Sequence, residues 1–174
     1  SGPNEHPGQV LVFSLAKGEL LRFHDGSGDI ELGASVAGGD DWDGDGVDDY
    51  LVGAPQGGVA GTGAVYAYSG ADGSLLDIQL NPLLQGELGR DLALLGDVSG
   101  SADEEVLAGG GGAAIVYTPV AGGVLHSHWN PEASFGDSVC AVGDVTGDDR
   151  ADYAIAAPLI DLGGGVEFGE LRVY

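Results

Sequence analysis

One pattern recurs three times along this chain, and the recurrence constrains the fold more than any other feature. Acidic loops open at Asp41, Asp97 and Asp144, spaced 56 and 47 residues apart. Each is preceded by a short lead: Leu32-Gly33-Ala34-Ser35-Val36, Leu88-Gly89-Arg90-Asp91-Leu92 and Phe135-Gly136-Asp137-Ser138-Val139. Each is followed by a short apolar run: Tyr50-Leu51-Val52-Gly53-Ala54-Pro55, Val106-Leu107-Ala108-Gly109 and Tyr153-Ala154-Ile155-Ala156-Ala157-Pro158. A period near 50 residues marks a repeat architecture in which each unit buries its apolar face on the next.

Within each unit the remaining signals are those of strands. Ala64-Val65-Tyr66-Ala67-Tyr68, Ala114-Ile115-Val116-Tyr117 and Glu170-Leu171-Arg172-Val173-Tyr174 are β-branched and aromatic, and Val10-Leu11-Val12-Phe13 carries the same signal at the start of the chain. Gly18, Gly73 and Gly122 then share one register in a tight turn, where positive φ is needed. A fourth strand follows the turn, and no helical periodicity outlasts a single turn. The expected fold is all-β, built of antiparallel four-stranded blades of a β-propeller. Thirteen strands are expected, in groups of two, four, four and three: residues 1–31 as an incomplete leading blade, 32–87 as blade one, 88–134 as a degenerate blade two and 135–174 as the first three strands of blade three. Propellers use about four to eight blades. So few blades imply either further blades of a longer chain or closure with a second copy.

Asp41-Trp42-Asp43-Gly44-Asp45-Gly46-Val47-Asp48-Asp49 is the richest of the loops. Counted from Asp41, carboxylates fall at positions 1, 3, 5 and 9, and Val47 offers its carbonyl at position 7. A hard divalent cation takes six to eight oxygens at about 2.3–2.6 Å, and alternate residues of a curled loop converge on one centre. Gly46, at position 6, permits the sharp bend. An EF-hand needs glutamate at position 12, and that position is Val52 in an apolar run, so the EF-hand reading fails. A metal-free Asp/Gly turn is the rival reading. Five aspartates in nine residues repel one another unless a cation lies among them, which favours calcium (Ca2+).

The net charge is −23, from 28 acidic and 5 basic residues. Such a surface repels phosphate backbones and anionic lipid, which argues against nucleic acid and membrane surfaces as partners and for cations. Glycine numbers 34 without a Gly-X-Y period, which excludes collagen and favours a turn-rich β protein. Cys140 is the single cysteine, so no intrachain disulfide is possible, and its apolar surroundings suggest a small buried thiol. No apolar run approaches the roughly 20 residues of a membrane span. The chain opens at Ser1 rather than methionine, which suggests a processed or excised piece.

Phe135-Gly136, Gly53-Ala54-Pro55, the near match Ala156-Ala157-Pro158, and the acidic loop between such elements resemble the FG-GAP repeats of the integrin α-subunit propeller and of many secreted bacterial proteins. The resemblance covers nearly all of the chain after Pro7. It implies calcium in the loops on one propeller face and a partner-binding surface on the opposite face and its rim. Carried over residue by residue, it implies side-chain ligands from Asp41, Asp43, Asp45 and Asp49 with the Val47 carbonyl. In the third loop it implies Asp144, Thr146, Asp148 and Asp152 with the Arg150 carbonyl, although Asp149 stands there in place of the position-6 glycine. The second loop keeps Asp97 but has Ser99 and Ser101 where stronger ligands belong and Glu105 at position 9, so it reads as a hydrogen-bonded turn.

Catalysis finds no address: no nucleophile motif such as G-x-S-x-G occurs, and calcium accounts for the acidic pairs. His126 and His128 lack a third zinc ligand and read as an exposed strand edge, while Trp42 reads as a shield over its own loop. The expected function is that of a non-enzymatic, calcium-stabilised extracellular or cell-surface module for protein interaction or adhesion. Self-assembly through open blade edges, as a ring or fibre, and a lectin using Trp129 and inter-blade pockets for a glycan are the alternatives.

Overall fold

The computed structural model describes residues 7–28, 30–100, 103–120, 122–130, 134–161 and 167–174. Ser101 of the second loop and Ala121 of the third strand-joining turn lie outside the described residues. Among the described residues thirteen strands form four antiparallel sheets, each sheet joining sequence neighbours in order. The first sheet is β1 (Gln9–Ser14) and β2 (Glu19–Asp25). The second is β3 (Val36–Gly38), β4 (Tyr50–Ala54), β5 (Ala64–Tyr68) and β6 (Leu75–Leu80). The third is β7 (Asp91–Gly96), β8 (Glu105–Gly110), β9 (Ala113–Tyr117) and β10 (Val124–Trp129). The fourth is β11 (Ser138–Gly143), β12 (Asp152–Asp161) and β13 (Glu167–Val173). Among the described residues the one helical segment is a single 3-10 turn, Val59–Gly61, and no helix is long and apolar enough to cross a membrane.

The sheets pack face to face in chain order. Val10 of the first sheet meets Val52 and Ala54 of the second. Leu51, Val65 and Ala67 meet Val106, Ala108, Ile115 and Tyr117. Leu107, Ala114 and Val116 then meet Val139, Tyr153, Ile155 and Ala157. Strands covered on both faces read as continuous apolar runs, which is why β8 and β9 are buried throughout. Of the first strands of the later sheets, β7 adjoins both β3 and β11.

The recurring Leu-Gly or Phe-Gly pair explains itself in this packing. Leu32, Leu88 and Phe135 are each buried between two sheets. The following glycine has φ of +91°, +95° and +81° at Gly33, Gly89 and Gly136, a region that residues with a Cβ avoid. Its amide donates to the second strand of its own sheet: Gly33 to Gly53 at 2.9 Å, Gly89 to Gly109 at 3.1 Å and Gly136 to Ala156 at 2.9 Å. The preceding residue bonds backward, Leu32 N–H to Pro7 O at 3.1 Å and Leu88 N–H to Thr62 O at 3.2 Å. Each pair thus ties its sheet to the one before. A Cβ on Gly53 would lie 2.0 Å from the Gly89 carbonyl, so the close approach of neighbouring sheets requires glycine there.

Two turns follow the expected geometry, with Gly18 and Gly73 at φ +66° and +78°. The third differs, placing Val120 at φ +61°. Cys140 also departs from expectation, since it is exposed rather than buried. Side chains alternate along β11, and Val139 takes the side that packs on the third sheet. Cys140 consequently faces away, where no described sheet covers it.

Candidate metal centre

The first acidic loop joins β3 to β4, and its backbone is curled by its own carboxylates. Asp41 accepts from the amides of Asp45 (Oδ1, 2.9 Å) and Gly46 (Oδ2, 2.8 Å). Asp45 Oδ1 accepts from Val47 N–H at 2.9 Å. Gly44 and Gly46 take φ of +78° and +88°, the bends that let these amides turn inward. Asp49 closes the loop: it is 2% exposed, accepting from Trp42 N–H at 2.9 Å through Oδ2 and from Gly70 N–H at 3.0 Å through Oδ1. Trp42 packs its indole over Gly39 and against the apolar layer between the second and third sheets, so it braces the loop from inside.

The structure brings Asp41, Asp43 and Asp49 together, with one oxygen from each within 4.8 Å of the others. Two oxygens on one calcium-sized ion stand at most about 5.2 Å apart, so this spacing fits a shared hard cation. Each carboxylate oxygen has two lone pairs, and an amide bond leaves one free. Asp45 lies outside the cluster, and Val47 has its N–H on Asp45. Withdrawal from water, together with the negative charges of Asp45, Asp49 and Asp41, holds the Asp43 carboxyl above the ordinary aspartate range. A cation among these groups removes that repulsion.

Loop three has the same backbone with fewer charged donors at its centre. Asp144 accepts from Gly147, Asp148 (3.1 Å) and Asp149 (2.9 Å), Asp148 from Arg150 (3.0 Å), and Asp152 from Val145 (2.7 Å) and Thr146 (2.9 Å). The amides of Gly147 and Asp149 hold the Asp144 carboxyl below its ordinary range, the opposite of Asp43. Asp149 stands where Gly46 stands in loop one, with φ +67°, so position 6 requires a left-handed residue in both. Asp144, Asp148 and Asp152 do not form a carboxylate group of the kind found in loop one. In loop two, Glu105 is fully buried and accepts from Val98 N–H at 2.6 Å and Ser99 Oγ–H at 2.6 Å. The longer glutamate reaches into the loop and satisfies it with hydrogen bonds.

Sequence reasoning missed two features that recur visibly. Position 4 is glycine in all three loops, with Gly44, Gly100 and Gly147 at φ +78°, +81° and +82°. A histidine six residues after the turn glycine, His24 after Gly18 and His128 after Gly122, also reaches the next sheet. His24 Nε2 meets Tyr50 Oη at 2.7 Å and stacks on Tyr68 at 4.0 Å. His128 Nε2 meets Tyr153 Oη at 2.9 Å and packs on Tyr174 at 4.1 Å. Both tyrosines directly follow the loop-closing aspartates Asp49 and Asp152, so the pairs anchor loops one and three. Burial, then Arg22 beside His24 and His126 and Arg172 beside His128, lowers both imidazole pKa values.

Loops one and two face each other across a cavity of about 380 Å³ lined by Asp40, Asp48, Asp97, Asp103 and Glu104. Burial, followed by the charges of Asp40 and Asp48, raises the Glu104 pKa. No family model and no curated protein matches this chain.

Proposed function

We propose that the chain is a calcium-stabilised run of FG-GAP-type repeats, its four sheets the consecutive blades of a partial β-propeller, serving extracellular protein interaction or adhesion. The observation that carries the metal reading is the convergence of Asp41, Asp43 and Asp49 on one point, with ligand atoms within 4.8 Å. Asp41, Asp43 and Asp49 hold the ion, and calcium supplies charge neutralisation between β3 and β4 rather than a reaction step. The repeated bond from the Leu-Gly or Phe-Gly amide to the second strand supports the repeat assignment. The contacts of β7 with both β3 and β11 support a radial arrangement of blades.

Loop three is the weaker site of the two, because threonine replaces the position-3 carboxylate and two amides, those of Gly147 and Asp148, already occupy Asp144 Oδ1. Extracellular calcium sites work at dissociation constants of about 10⁻⁴–10⁻³ M, a range suited to an exposed loop. Isothermal titration of the chelated chain with calcium is expected to give one dominant site that Asp43→Ala removes. A titration with no saturable heat up to 10 mM calcium (about ten times the weakest constant of that range) refutes the metal reading.

A further inference from the structure

Asp49 is the buried member of the loop-one cluster, and the first sheet reaches it from two sides. Arg22 and His24 stand two residues apart on β2, so both side chains leave the strand toward the second sheet. His24 Nε2 meets Tyr50 Oη at 2.7 Å while its ring stacks on Tyr68, and Tyr50 is the residue after Asp49. Arg22 Nη2–H donates to the carbonyl of Ala71. The residue before Ala71 is Gly70, whose amide donates to Asp49 Oδ1 at 3.0 Å. A Cβ on Gly70 would lie 2.0 Å from the Asp48 carbonyl, so this turn and the loop meet backbone to backbone. Asp49 is thus held through its chain neighbour Tyr50 and through the Gly70 amide, and a side chain of the preceding sheet fixes each.

The other repeats show that this clasp goes with the kind of loop it holds. Counted from the turn glycine, the fourth and sixth residues are Arg22 and His24 after Gly18, Asp77 and Gln79 after Gly73, and His126 and His128 after Gly122. His128 meets Tyr153, the residue after Asp152, at 2.9 Å, and loop three is closed by aspartate as loop one is. Loop two is closed by Glu105 and followed by Val106, which has no hydroxyl. There Gln79 Nε2–H donates to Leu80 O of its own strand at 2.7 Å. Asp77 still accepts from Val120 N–H at 3.4 Å, so the turn contact persists and the clasp on the loop-closing segment does not. The second and third sheets pack through Leu51, Val65, Val106 and Ile115 without it. Sheet packing therefore does not require the clasp, and it accompanies the aspartate-closed loops.

We propose that His24 and Arg22 are positioning residues for the loop-one cation: the first sheet holds Asp49 where the ion needs it, and the bound ion in turn tightens the joint between the first and second sheets. The inference rests on the calcium reading of loop one. Groups beyond the ligands that fix a ligand's orientation raise metal affinity, and an oxygen must come within about 2.3–2.6 Å of calcium. The coupling is reciprocal, so the factor that the clasp adds to calcium affinity is the factor that calcium adds to the docked joint.

The test reads the coupling in both directions. In calorimetric titrations with calcium, His24→Ala and Arg22→Ala should each raise the dissociation constant of the dominant site at least about fivefold, the lower end of a typical coupling between sites. Gln79→Ala, at the matching position of β6, should leave it unchanged. Arg22→Lys, which still donates to the Ala71 carbonyl, should recover most of the loss. Tyr50→Phe added to His24→Ala should weaken binding no further, because both remove one contact. In the native chain, hydrogen exchange of the amides paired between β1 and β2 should slow about three- to fourfold in calcium at about ten times its dissociation constant, and Asp43→Ala should abolish the slowing. That measurement needs no change in β2 and decides the matter where a β2 variant fails to fold. Unchanged dissociation constants in folded His24→Ala and Arg22→Ala chains, or β1–β2 exchange that calcium does not slow, would overturn the proposal. The same titrations separate the readings: a native chain that binds calcium with an affinity indifferent to β2 removes only the coupling, whereas one that binds none removes the site and the coupling together.

Discussion

Replacing Asp43 and Asp49 in turn separates what the loop owes to metal from what it owes to hydrogen bonds. Asp49 is 2% exposed and accepts from Trp42 and Gly70. Asp49→Ala strands two amides, each costing about 1–3 kcal/mol, so about 2–6 kcal/mol is lost with or without calcium. That is a large share of a typical stability of about 5–15 kcal/mol. Asp43 is exposed and, among the described residues, accepts from the Asp45 amide alone, at 3.0 Å, so Asp43→Ala in EDTA should melt close to the native chain. Calcium at about ten times its dissociation constant, which about 1–10 mM supplies over the range given above, adds about 1.4 kcal/mol to the native chain, or about 3–6 °C for a chain of this length. Asp43→Ala should lose most of that shift. The assay is differential scanning calorimetry of the native chain, Asp43→Ala and Asp49→Ala, each in EDTA and in millimolar calcium. A native chain that melts identically in the two buffers, or an Asp43→Ala variant that keeps the whole shift, refutes the reasoning.

The other loops and the histidines give further expectations. Glu105→Ala leaves the Val98 amide and the Ser99 hydroxyl without their acceptor and should cost about 3 kcal/mol or more; chemical denaturation should show the same loss with and without calcium. Asp149→Val puts a β-branched residue at φ +67° and should cost about 1–2 kcal/mol, whereas Asp149→Gly should stay within about 0.5 kcal/mol because relieved strain offsets added chain entropy; urea melts distinguish them. His24 and His128 titrate below the ordinary histidine value of about 6.5 in the folded chain. The unfolded chain therefore binds more protons as pH falls through 6.5, and their contribution, complete above that pH, is lost down to the folded pKa values. Melting temperature should fall between about pH 7 and 5, with a shallower slope in the His24→Gln/His128→Gln variant; equal slopes would count against this account.

Much of the candidate site was legible because its information is local. A carboxylate that accepts the amide four or five residues ahead, and a glycine that turns the chain at positive φ, act within one loop, so spacing reports them: Asp41, Asp43, Asp49 and Gly46 could be named from the order of residues alone. Spacing does not report which carboxylates converge: Asp41, Asp43 and Asp49 do, while the Asp45 carboxylate accepts the Val47 amide.

The residue pattern by itself determined the strand content, the grouping into two, four, four and three, and the acidic loops between β3 and β4 and between β11 and β12, since period-2 alternation and turn residues are properties of neighbouring positions. Tertiary structure decided which faces meet. The exposure of Cys140, the burial of Leu32, Leu88 and Phe135 between sheets, and the joining of His24 to Tyr50 and of His128 to Tyr153 all depend on residues from different sheets. A strand has two faces, and its sequence can show that they differ; only the arrival of a second sheet decides which one leaves water.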